Sequence, residues 1–330
     1  MAILAPMLTM AFLLLMEAMS VSHGQLQVGF YSDTCPDAED IVSAAVQDAA
    51  GNDPSILPAL LRLQFHDCFV QTAVSWQGCD ASVLIRGNDA EVNNNKHQGL
   101  RGQEVVEAAK AELEDNCPGV VSCADIVALA ARDAVAMTGG PSFDVPTGRR
   151  DGLVSRLRDA DVLPDVADPI SLLRSRFSSA GLDDRDLVLL TAAHTIGTTA
   201  CFFVKDRLYN YRLPGGGGGG SDPSIPAPFL AELKAKCAPG DFNTRVALDR
   251  GSEGEFDDSI LRNIRSGHAV IASDAALDAS NATRRLVTAY LGSARFAQDF
   301  VGAMVKMGTI GALTGDDGEV RDVCSQFNSD

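Results

Sequence analysis

Between residues 37 and 307 the apolar positions recur mostly every three or four residues, the spacing of helices with one buried face. The pattern predicts helices over 37–50, 55–69, 103–114, 123–137, 169–180, 184–196, 227–236, 257–266, 281–291 and 294–307. Alternating, strand-like runs are few and short, so the fold class read from the pattern is all-α with little β. Glycine and proline punctuate the helices at Gly139-Gly140-Pro141, at Gly197 and at Pro214 with the run Gly215–Gly220. That run lacks the Gly-Lys-Ser/Thr ending of a phosphate-binding loop and reads as a surface loop. No internal repeat is visible, and a soft boundary near 160–168 divides two helical halves, 25–165 and 166–330.

The ends and the cysteines place this pattern in a cellular context. Residues 1–24 read as a signal peptide: the apolar run Met10–Met16 is too short to span a bilayer, and Ser22-His23-Gly24 offers small residues for cleavage before Gln25. No later stretch is long and apolar enough for a membrane helix, so the mature chain is expected to be free of the membrane. Eight cysteines, an even count behind an export signal, favour disulfides over metal thiolates. No Cys-x-x-Cys is present, which argues against structural zinc and thioredoxin-like chemistry. The spacing leaves the pairing open. Asn281-Ala282-Thr283 is the one glycosylation sequon. A length of 330 residues leaves room to enclose a cofactor, and a net charge of −17 argues against nucleic acid or an anionic membrane as partner.

The candidate chemistry lies in two histidines. In Arg62-Leu-Gln-Phe65-His66-Asp67-Cys68-Phe69, Arg62 and His66 are one helical turn apart and project side by side. A permanent cation there depresses the histidine pKa and keeps the ring neutral, able to accept a proton. The second, His194, follows Asp183–Leu190, a capped helix start on which Leu187, Leu190 and His194 share an apolar stripe. Ala192 and Ala193 leave space beside it for something flat and bulky. Each histidine taken alone reads as an ordinary core residue. Together, a base with a cation on one helix and a ligand imidazole on another are what haem peroxide chemistry requires.

From Gln25 to Cys324 the chain resembles the class III (secretory plant) haem peroxidases. The resemblance is carried by Phe30-Tyr31-Ser32-Asp33-Thr34-Cys35-Pro36, by the Arg62–Phe69 segment, by Gly78-Cys79-Asp80-Ala81-Ser82, by Val121-Ser122-Cys123-Ala124-Asp125, by Gly148-Arg149-Arg150-Asp151 and by Ala193-His194-Thr195-Ile196-Gly197. It implies two helical domains around one haem b, a distal one over 25–165 and a proximal one over 166–330. His66 is then the distal acid–base, Arg62 the stabiliser of charge as the O–O bond breaks, and Phe65 a wall of the pocket. His194 is the axial ligand, Asp274 its carboxylate partner, and Pro164 part of the phenol site.

The resemblance also implies two Ca2+ sites, one of Asp67, Val70, Gly78, Asp80 and Ser82, the other of Thr195, Asp249, Ser252, Glu255 (through its carbonyl) and Asp257. It implies the disulfides Cys35–Cys117, Cys68–Cys79, Cys123–Cys324 and Cys201–Cys237, and a buried Asp125–Arg149 ion pair. The expected protein is a secreted, extracellular monomer, glycosylated at Asn281, that reduces hydrogen peroxide and oxidises small phenols by one-electron steps.

Two features depart from the family pattern. Residues 72–77 interrupt the run from Val70-Gln71 to Gly-Cys-Asp and read as an insertion within the first calcium loop. His97 stands where the family has an asparagine that hydrogen-bonds the distal histidine, with Asn95 as the alternative if the loop shifts. A competing expectation is therefore a secreted calcium-binding glycoprotein on the same fold, its catalysis impaired by the 72–77 insertion.

Overall fold

The computed structural model describes residues 25–70, 77–212 and 219–329. The expected signal peptide, most of the inserted segment and most of the glycine run lie outside the described residues. Twelve α-helices are described: α1 Ala38–Asn52, α2 Ile56–Phe69, α3 Gln103–Asn116, α4 Cys123–Met137, α5 Ile170–Ser179, α6 Asp184–Thr191, α7 Lys205–Tyr209, α8 Ala227–Lys236, α9 Ser259–Arg265, α10 Ala272–Ala276, α11 Asn281–Tyr290 and α12 Phe296–Met307. The only sheet among the described residues pairs β1 Thr198–Ala200 antiparallel with β2 Arg245–Ala247, Thr199 opposite Val246. No helix among the described residues is long and apolar enough to cross a membrane.

The helix starts have identifiable chemistry. Ser122 Oγ accepts the amide of Asp125 at the start of α4, and Asp183 with Asp186 forms a reciprocal capping box at the start of α6. α4 is apolar nearly all round, buries almost every residue, and packs against α2. These two helices, with α1 and α3, enclose one apolar cluster built on Val42, Leu60, Leu63, Val106, Ile126 and Leu129. A second cluster joins the end of α2 to α5, α6, α9, α11 and α12, and a third lies between α7, α8 and the sheet.

Four disulfides tie the elements together: Cys35–Cys117, Cys68–Cys79, Cys123–Cys324 and Cys201–Cys237. Asp125 and Arg149 form a buried pair at 2.7 Å, and Arg149 also donates to the carbonyl of Gly308 at 2.7 and 2.9 Å, joining the start of α4 to the end of α12.

One predicted helix is shorter than expected. The 184–196 segment is α-helical only to Thr191, and His194 sits on a 3-10 turn, Ala192–Thr195. The chain must turn sharply there, because Gly197 adopts φ +93° and its amide bonds the carbonyl of Glu253 at 2.8 Å. A Cβ on Gly197 would stand 2.7 Å from Pro58 Cβ, so the start of α2 touches the end of the His194 turn.

Candidate active site

α2 carries the first half of the site. His66 is buried, at 7% exposure, on its last full turn. Arg62, one turn earlier, is half-buried and donates to the carbonyl of Gln98 at 3.3 Å. Phe65 stacks on Phe69 with ring centroids 4.4 Å apart, and Phe69 lies against Phe177 of α5, forming an apolar wall next to His66. Nδ1 of His66 lies 2.9 Å from Nδ1 of His97, so His97 takes the position behind the distal ring, while Asn95 is exposed. Burial first, then the charge of Arg62, hold His66 well below the usual histidine range, and the same causes pull His97 down to about 4. Arg62 itself is lowered by burial to about 10 and stays cationic at neutral pH.

The second half is the Ala192–Thr195 turn. His194 Nδ1 bonds Oδ1 of Asp274 at 2.8 Å, and Asp274 is fully buried. Burial disfavours charge on the His194 ring, but the Asp274 carboxylate outweighs it and raises the pKa above its usual value. The His194 side chain keeps 39% accessibility although Leu190, Ala192, Thr195 and Ile196 around it are buried. Its Nδ1 is taken by Asp274, which leaves Nε2 as the ring nitrogen available to a ligand. The Arg62 cation opposes protonation of both His66 and His194. A partly accessible imidazole whose other nitrogen is braced by a buried carboxylate fits a haem iron ligand.

The two loops expected to bind calcium gather oxygen. Asp67 and Asp80 are buried, and burial followed by their mutual repulsion raises the Asp67 carboxyl; burial also raises Asp80. Asp67 Oδ1 has no hydrogen-bond partner. A Cβ on Gly78 would meet the carbonyls of Cys68 and Val70 at 2.5 and 3.2 Å, and Ser82 is buried next to Asp80. In the second loop Thr195 Oγ1 lies 3.0 Å from Asp249 Oδ2, 3.1 Å from Asp257 Oδ1 and 3.5 Å from the Glu255 carbonyl, with Ser252 Oγ 3.1 Å from Asp249. No group of three or more His, Cys, Asp or Glu side chains able to hold a metal occurs among the described residues. Each loop instead combines two carboxylates with carbonyl and hydroxyl oxygens, a donor set that suits hard Ca2+.

Other predicted residues sit as follows. Pro164 is half-buried just past the turn Leu157–Val162, whose Leu157 carbonyl accepts from Asn94 at 2.7 Å, and its neighbour Asp165 pairs with Lys96 at 2.8 Å; both contacts flank His97. Asn281 is exposed on the first turn of α11. Glu91 was not singled out from sequence. It is buried, at 1% exposure, with Oε1 3.9 Å from Nε2 of His97. Burial and the nearby Asp67 and Asp80 raise its pKa well above the usual range.

Residues 42–293 match the family model described as Peroxidase. The chain belongs to the class III plant peroxidase family. It is 53% identical to Peroxidase 43 of Arabidopsis thaliana over 93% of this chain and 94% of that relative. It is 49% identical to Peroxidase 13 of the same plant over 98% of this chain and all of the relative, and 47% identical to Peroxidase N1 of Nicotiana tabacum over 92% and 90%. The protein is a peroxidase that acts on hydrogen peroxide, and its helical fold and disulfides are those of a peroxidase of this class.

Proposed function

We propose that the chain is a secreted haem peroxidase in which one haem b lies between His66 with Arg62 on one side and His194 on the other, and that it oxidises small phenols. The observation that carries this reading is His194: an accessible imidazole edge on an otherwise buried turn, its other nitrogen tied to a buried Asp274. The haem, when bound, supplies two electrons to peroxide and recovers them from two phenol molecules in turn.

The protein's residues do the rest. His66, neutral because burial and Arg62 oppose its protonation, would take the proton from one oxygen of the peroxide. It would return that proton to the other oxygen, which leaves as water. Arg62 stabilises the negative charge that gathers on the departing oxygen. Phe65 and its stacked partner Phe69 limit access from one side, and Pro164 borders the phenol site. Asp274 holds the His194 ring in one tautomer and strengthens it as a donor.

Asp67, Val70, Gly78, Asp80 and Ser82 hold one Ca2+ at the end of α2, and Thr195, Asp249, Ser252, Glu255 and Asp257 hold another beside His194. Each ion thereby braces a histidine-bearing element. The halves 25–165 and 166–330 form the distal and proximal sides. The protein acts outside the cell as a monomer, glycosylated at Asn281.

Peroxide consumption with guaiacol as donor tests the reading. Wild type turns over, and His66→Leu loses at least a thousandfold in kcat/KM for peroxide, on the order of the loss when a general base and its orienting role go together. Retained turnover in His66→Leu contradicts it.

A further inference from the structure

We propose that Arg321, near the C-terminus, is a positioning residue for the first of the two calcium loops: it holds the Ala81 peptide in the conformation that presents Asp80 and Ser82 to the cation. The proposal rests on the reading of Asp67, Val70, Gly78, Asp80 and Ser82 as a Ca2+ site and adds what shapes that site from outside it.

Ala81 is strained. Its φ of +58° lies in the left-handed region, where the Cβ of an alanine crowds the following carbonyl. Among the described residues only Cys79 and Ala81 adopt a positive φ without being glycine, and they flank Asp80. Such a conformation persists only where the surroundings over-determine it.

The contacts that do so are specific. The Ala81 amide donates to Asp67 Oδ2 at 3.1 Å, which ties the strained peptide to one of the expected ligands. The Ala81 carbonyl accepts from Arg321 Nη1 at 2.8 Å. Through Nη2 the same guanidinium donates to the Gly152 carbonyl at 2.6 Å, and the Gly152 amide donates to the Asp80 carbonyl at 2.8 Å. A Cβ on Gly152 would stand 2.1 Å from Asp80 Oδ2, so only glycine lets that backbone lie against the Asp80 carboxylate.

Arg321 is itself held in place. It is fully buried, and its amide donates to Asp151 Oδ2 at 2.9 Å. Asp151 also accepts the amides of Cys123 and Ala124 at the start of α4, and Cys324, three residues beyond Arg321, is bonded to Cys123. The C-terminal segment is thus anchored on α4 and reaches back across 240 residues of chain to the loop. A buried guanidinium is costly, and this one spends both terminal nitrogens on carbonyls that fix the 80–82 backbone.

Calorimetric Ca2+ titration of the chelator-stripped, haem-loaded enzyme tests this. Wild type is expected to show two sites, and Asp80→Ala identifies which of them is the first loop. Arg321→Met removes the donors and keeps an unbranched side chain. It is expected to weaken the first site by about tenfold to a hundredfold, the usual loss when a group supporting a metal ligand goes, and to leave the second site unchanged. Arg321→Lys, with a single ammonium in place of the planar fork, is expected to lose affinity at the same site and carries the test if Arg321→Met does not fold. Adding Ala81→Gly, which makes the left-handed conformation free of cost, is expected to restore part of the loss. First-site affinity equal to or tighter than wild type in folded Arg321→Lys overturns the proposal. Equal weakening of both sites also overturns it, since that marks a general loosening of the fold. No restoration by Ala81→Gly overturns the role given to the strained peptide. A wild type in which Asp80→Ala removes no site sinks the calcium reading itself, and the proposal with it.

Discussion

Asp274 accepts the Nδ1–H of His194 at 2.8 Å from a position closed to water. An ionised partner there pushes electron density through the imidazole toward the iron it would hold. Asp274→Asn keeps the shape and removes the charge. The expected outcome is a higher ferric/ferrous potential and a loss of about tenfold to a hundredfold in peroxide turnover, at unchanged haem content. Spectroelectrochemistry of the variant checks it, and an unmoved potential contradicts the proposed role.

The pair behind α2 makes stability depend on pH. His97 titrates near 6.5 when unfolded and is pulled down to about 4 in the fold, chiefly by burial, and His66 is lowered as well. As pH falls below 6.5 the unfolded chain takes up protons that the native state refuses, so stability present above that pH is lost on acidification. From His97 alone the loss between pH 7 and pH 5 is about 2 kcal/mol. Urea unfolding at the two pH values is expected to show a smaller loss, by about that amount, in His97→Asn.

Calcium removal should act through the buried carboxylates. Asp67 on the last turn of α2 and Asp80 in the loop beyond it are both buried, and the charge of Asp80 adds to burial in raising Asp67. Chelation is expected to lower the thermal midpoint by roughly 5 °C or more, with recovery on adding Ca2+ but not Mg2+. Asp80→Ala is expected to bind one Ca2+ fewer, measured by metal analysis after dialysis.

Arg149 bridges Asp125 and the Gly308 carbonyl deep in the structure. Arg149→Leu strands the Asp125 charge and leaves that carbonyl without its donor. A loss of roughly 3–5 kcal/mol in unfolding free energy is expected from denaturant titration.

The sequence carried most of the fold because its helices are long and one-sided. Val42, Val46 and Ala50 recur on the buried face of α1, as the spacing predicts. α7 and α10 escaped that reading because five residues make barely more than one turn, too few for a period to show. The break after Thr191 is set by Gly197 meeting Pro58, a contact between residues distant in the chain.

The site divides in the same way. Arg62 and His66 were legible because a helix puts them side by side. Glu91 was not, because it lies in a polar stretch with no local sign of burial. Its place is fixed from outside, by the Glu91 amide donating to Ser155 Oγ at 3.1 Å and by the 157–162 turn packed beyond it. The reach of His97 to His66 crosses 31 residues of chain.

We propose that His194 holds a haem, with His66 serving as the base of its peroxide chemistry. The most direct measurement is the ultraviolet–visible spectrum of the purified protein supplied with haem, before and after peroxide. The expected result is one haem per chain, a Soret band that shifts within seconds of adding peroxide, and no such shift in His66→Leu. A colourless protein, or a band that peroxide leaves unchanged in the wild type, contradicts it.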